Sequence, residues 1–88
     1  MKVVLRKTCS ACPEQYDAYS NGKKVAYLRL RHGYFATECP DVYGAIVYQA
    51  CTKGDGLFAE DEREEHLNAA KAAIVRWYKR NHKKELVT

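Results

Sequence analysis

Eighty-eight residues give room for one domain and one core, burying roughly 60 to 65% of the unfolded surface. Hydrophobic content of 47% and charged content of 30% exclude a disordered chain. The longest uncharged apolar stretch, VYGAIVYQAC at 42–51, is far short of the roughly 20 residues of a membrane span, and a net charge of +4 from 15 bases and 11 acids leaves both protein and nucleic-acid partners open.

The start, MKVVLRK, carries charge where a signal peptide needs an apolar run, so a cytoplasmic location without membrane contact is expected. KVVLRK, residues 2–7, is β-branched and alternating and reads as a first strand; nothing in the pattern says which strand it pairs with. EQYDAY, KVAYLRLR, YFATEC and AIVYQAC follow as strand-sized pieces, and Gly22, Gly33, Gly44, Gly54 and Gly56 fall where a meander turns.

Register follows from keeping charge out of the core. A two-residue Asn21-Gly22 turn pairs Ala18 with Val25 and Tyr16 with Tyr27, which sets Asp17 on the face of Ala26 and Leu28. A three-residue loop of Ser20, Asn21 and Gly22 instead pairs Tyr16 with Ala26 and Asp17 with Val25, and is the expected register because an unpaired buried carboxylate costs several kcal/mol. A His32-Gly33 turn pairs Leu30 with Phe35, Leu28 with Thr37 and Arg31 with Tyr34. Both registers give one core face: Tyr16, Ala18, Ala26, Leu28, Leu30 and Phe35.

KGDGLF lacks the length and the Lys-Ser/Thr of a phosphate loop and reads as a tight turn, with Phe58 as core. The period then changes from two to 3.6: Leu67, Ala70, Ala73, Ile74 and Trp77 form one face of a helix over about 60–82, long enough to cover the sheet. Asp61 and Glu64 have capping-box spacing. Five acids in EDEREE and five bases in RWYKRNHKK complement the helix dipole, which explains the pattern without any nucleic acid. The fold class is therefore α+β, an antiparallel β-meander of four to five short strands with one C-terminal helix packed on one face, in a single domain spanning 1–88.

The other sheet face collects Tyr19, Lys23, Val25, Tyr27, Arg29, Arg31 and Tyr34, with Gln15, Asp17 and Glu38 among them. Tyr19, Lys23, Tyr27, Arg29, Arg31 and Tyr34 are the candidate partner-binding residues, since tyrosine offers a flat ring with little entropy to lose and arginine a fork for carboxylate or phosphate. Ordinary cross-strand packing of Tyr34 with Arg31 and Tyr27 with Glu38 explains part of the same pattern. Asp17 and Glu38 repel a phosphate backbone, so a protein surface of mixed charge suits the face better than nucleic acid.

Of the four cysteines, Cys9 and Cys12 have the spacing that opens many zinc sites, but Cys39 and Cys51 supply no second CxxC. With the fifth piece antiparallel to the fourth, Cys9, Cys12, His32 and Cys51 are the one set that can meet around zinc; buried free thiols and a Cys9–Cys12 disulfide are the alternatives. His32, His66 and His82 have no sequence neighbours that mark a nucleophile or an orienting acid, and each reads as a surface histidine. No catalytic residue or cofactor is expected.

CPEQYDAY, then GKKVAYLRLRHGYF, then GDGLF followed by Glu62-Arg63 resembles small uncharacterised proteins encoded by phages and prophages, over residues 12 to about 66. The resemblance carries no known activity, cofactor or catalytic residue. It implies a chain that acts by occupying a surface of a host or defence protein, as an anti-CRISPR-like inhibitor does. A small basic nucleic-acid-binding domain using the same face, with 76–84 as an added arm, and a zinc-stabilised structural domain are the alternatives.

Overall fold

The computed structural model describes the backbone of residues 1–9, 14–54 and 57–87, and the side chains of these except Cys9 and 82–87. Five strands, β1 Val4–Cys9, β2 Glu14–Ser20, β3 Lys23–Arg31, β4 Tyr34–Cys39 and β5 Ala45–Cys51, precede one helix, α1 Glu60–Val87. The sheet is an antiparallel meander in chain order, so β1, unplaced by the sequence, lies beside β2 at one edge, and β5 forms the other. The α+β architecture expected from the sequence is the observed one.

Alternation fixes the faces. Tyr16, Ala18, Ala26, Leu28, Leu30 and Phe35 are all buried, joined by Cys39, Phe58, Ala70, Ala73 and Ile74, with Leu67 and Trp77 packed at the margin. The β3–β4 register is the expected one: Leu30 faces Phe35, Leu28 faces Thr37 and Arg31 faces Tyr34.

The β2–β3 register is not. Ser20 pairs with Lys23 and Tyr19 with Lys24 across a two-residue Asn21-Gly22 turn, and the ladder then shifts to Ala18 with Ala26, Asp17 with Tyr27 and Tyr16 with Leu28. Asn21 and Gly22 both have positive φ, 53° and 78°, as a type I′ turn requires, and that turn matches the twist of the strands it joins. The extra residue that keeps Asp17 off the core face is therefore a bulge at Val25 inside β3, in place of a third loop residue. Val25 and Ala26 are both buried as a result, which removes Val25 from the outer face. The Val25 carbonyl accepts a hydrogen bond from the Tyr78 hydroxyl at 2.6 Å, so the bulge is also where α1 is tied to β3.

The helix starts at Glu60, where the period change set it, but Asp61 and Glu64 are not its capping pair. Ala59 occupies the N-cap, and the buried Glu62 carboxylate reaches back to the Ala59 N–H at 3.1 Å and to the Lys53 N–H at 2.8 Å. One carboxylate thus satisfies a donor at the helix start and another in the β5–α1 connection, the half of a capping box that a glutamate at the third helical position supplies. Arg63, one residue on, pairs through Nε with the buried Glu14 at 3.1 Å, and Lys7 adds a second cation at 3.5 Å. α1 continues to Val87, five residues past the expected end.

Candidate functional site

Directly paired residues share a face, so the ladder writes the uncovered side of the sheet as four rows. Arg31, Tyr34 and Cys51 form the first; Gln15, Arg29, Ala36 and Gln49 the second; Arg6, Asp17, Tyr27, Glu38 and Ile46 the third; Val4, Tyr19 and Lys24 the fourth. Successive rows on one face lie roughly 6.6 Å apart. No described element covers these residues, which are exposed or half-buried throughout.

Five of the six candidate binding residues, Tyr19, Tyr27, Arg29, Arg31 and Tyr34, share this face. Lys23 does not. It pairs with Ser20, a core-face residue, and the bulge that turned Val25 inward places Lys23 on the helix side, at the rim of a cleft of about 680 Å³ lined also by Val25, Pro40, Tyr78 and Lys79. Lys24 takes its place on the outer face. Two apolar residues in succession, Val25-Ala26, within an otherwise alternating strand were the signal for that exchange. Arg6 joins the face because β1 pairs with β2, which the sequence left open.

Charge on the face is sorted by row. Lys24 Nζ bridges Asp17 at 3.1 Å and Asp41 at 2.9 Å and stands 5.7 Å from the centre of the Tyr27 ring. The hydrogen bond from Lys24, then that from the Val42 N–H, holds the Asp41 carboxyl below its ordinary range; the same contact to Asp41 raises Lys24. Glu38 accepts the Tyr43 N–H at 3.0 Å. The carboxylates are thus engaged, and they lie in and beyond the third row. The first two rows hold Arg29 and Arg31 with no acid; neither arginine makes an ion pair with a described residue. Tyr34 beside them is fixed by donating to Gln49 Oε1 at 2.6 Å. The arrangement offers two forked cations between two tyrosine rings, suited to carboxylate or phosphate recognition.

The zinc set does not assemble. Cys51 does return to the His32 end, paired with Tyr34, but Cys9 sits on β1 and Cys51 on β5, the two edges of the sheet. Four strand spacings separate them, roughly 19 Å, whereas two thiolates on one zinc lie about 4 Å apart. Cys12, and with it the Cys9–Cys12 disulfide, falls outside the described residues. Among the described residues no three potential metal ligands gather, and no helix is long and apolar enough to cross a membrane.

His66 is also not the surface residue expected. Its Nδ1 lies 2.6 Å from the Tyr48 hydroxyl and its ring stacks on Phe58 at 5.4 Å, in an aromatic group with Phe35. Nothing in sequence brings residue 66 to residue 48; only the helix crossing over β5 does. His32 is exposed in its turn, and the His82 side chain is outside the described set. Comparison with protein-family models, curated proteins and solved structures finds no match to the chain.

Proposed function

We propose that the protein is a small non-enzymatic binding module that docks on another protein through the outer face of its sheet, with Tyr19, Tyr27, Arg29, Arg31 and Tyr34 as the contact residues. The carrying observation is the pair Arg29 and Arg31, held in adjacent rows between Tyr27 and Tyr34 with no ion pair to any described residue. Tyrosine and arginine are the side chains that most often anchor an interface, and unpaired arginines gain most from a partner's carboxylates. The resemblance to phage-encoded proteins suggests the class of partner, a host or defence protein in the cytoplasm, and the mode of action, inhibition by occupying its surface.

Glu38 and Asp17 in the third row favour a protein over nucleic acid, because they confine a phosphate backbone to one end of the face. The nucleic-acid reading has one observation on its side: Lys24 neutralises Asp17, and Arg6 adds a base to that row.

Capture from a bacterial host lysate, repeated after nuclease treatment and at raised salt, separates the two. A discrete protein should survive both treatments and be lost with the double variant Tyr27→Ala, Arg31→Ala, whose affinity should fall about a hundredfold or more while its unfolding midpoint stays near the parent's. Capture that the double variant leaves unchanged removes the proposal. Loss of all binding after nuclease and a steep fall with salt transfers it to nucleic acid.

A further inference from the structure

The two edges of the sheet are built differently. β1, VLRKTC, carries Arg6 and Lys7, charges that keep an edge from pairing; each edge strand also has one register shift in its ladder, between Lys7 and Cys9 in β1 and at Val47 in β5. β5, AIVYQAC, has no charge and no proline, and Ile46 is 55% exposed on it. The loop before it adds Val42, 42% exposed, and Tyr43, 96% exposed.

Tyr43 is held in an unfavourable conformation. Its φ is 67°, left-handed, which costs an aromatic residue roughly 1 to 2 kcal/mol. The loop is fixed around it: the Tyr43 N–H donates to Glu38, the Gly44 N–H donates to the Asp41 carbonyl at 3.0 Å, and a Cβ on Gly44 would stand 2.6 Å from the Cys39 carbonyl carbon. Within the chain the ring contacts almost nothing. Sparsely populated backbone conformations persist where the surrounding structure over-determines them, and they cluster at functional sites.

The helix leaves this corner open. It lies over β5 at His66, by Tyr48, and has crossed to β3 at Tyr78, which bonds the Val25 carbonyl. The Ala45 end of β5 is therefore uncovered on the helix side, while Ile46 is exposed on the outer face and Val42 and Tyr43 in the loop beside it. At the Cys51 end, where the helix begins, the exposed apolar residue is Leu57, 60% accessible. One edge thus carries an apolar group at each end, and a strand paired antiparallel with its own copy sets each end against the other, twice, as a twofold interface requires.

From these features we infer that β5 is the edge through which two copies of the chain associate, antiparallel, joining two five-stranded sheets into one of ten. The Val42–Tyr43–Ile46 corner of one copy packs by the Leu57 connection of the other. The uncharged strand brings no like charges together. Both outer faces then lie on the same side of a continuous sheet. The inference does not depend on the docking proposal.

Sedimentation equilibrium of the full chain from about micromolar to about millimolar concentration tests it. The expected result is a monomer–dimer equilibrium. Ile46→Lys with Gln49→Lys, both at exposed positions, should weaken it about a hundredfold or more by like-charge contact, and Ile46→Glu with Gln49→Glu should do the same. An equimolar mixture of the two variants should associate again as a heterodimer, which a folding defect cannot produce. A parent chain that stays monomeric throughout, self-association that neither variant changes, or a mixture that stays dissociated overturns the inference.

Discussion

Burial pushes the Tyr16 hydroxyl up from 10.0 to about 12, with the Glu14 carboxylate adding to the rise, and pushes the Cys39 thiol from 9.0 to about 12. Both groups are neutral when protonated, so the folded state binds their protons more tightly than the unfolded chain does. Their contribution to stability is full below about pH 9 to 10 and is lost as pH climbs through about 12. Urea unfolding at pH 8 and at pH 11 should show a fall for the parent that is about 1 kcal/mol smaller in Tyr16→Phe; an identical fall in both would place the Tyr16 hydroxyl in solvent. The core role of Tyr16 was legible from alternation alone. The burial of Cys39 was not, because it depends on the alternation of β4 carrying on from Phe35 and Thr37 to the strand's end past the register shift in its ladder with β5.

Turns and helix ends show where reading elements from sequence succeeds and where it stops. Asn21-Gly22 and His32-Gly33 are both two-residue turns with positive φ at both positions, and His32 at 52° sits in a region asparagine tolerates better. His32→Asn should raise stability by about 0.5 kcal/mol, measured as a higher urea midpoint with an unchanged slope; a lower midpoint would mean that the imidazole holds the turn. The core faces of β2 and β3 were legible because a buried Asp17 carboxylate excludes the wrong parity, and that of β4 because the His32-Gly33 turn sets its register; β5 was given no face. The means by which β3 meets that demand was not, since a loop residue and a strand bulge both correct parity by one, and only turn geometry chooses between them. That choice moved Lys23 off the candidate face and put Lys24 on it. The helix start near residue 60 was legible, but its cap was misassigned to Asp61 and Glu64 for a similar reason: Glu62 is engaged by the Lys53 N–H nine residues earlier, a contact beyond any local capping pattern.

On the scale of the whole molecule, sheet and helix depend on each other. Every strand pairs with its sequence neighbours, so the meander can form locally, but its apolar face has no other cover than α1 among the described elements. A helix of this composition gains most of its own stability from that same packing. Neither half has a core alone, and unfolding should be one cooperative event. Ile74, fully buried where α1 meets the sheet, tests the dependence. Ile74→Ala removes apolar contacts on both sides at once and should cost about 2 to 5 kcal/mol, a large share of what a domain of this size has. Trp77 fluorescence reports the helix–sheet boundary, since its ring is packed against the core next to Tyr78 at 4.8 Å, while far-ultraviolet circular dichroism reports both elements. The two signals should move together to lower urea, in parent and variant alike. A fluorescence transition that precedes the dichroism change would mean that α1 detaches from a sheet that persists, and such a sheet would expose a second apolar face opposite the arginine rows.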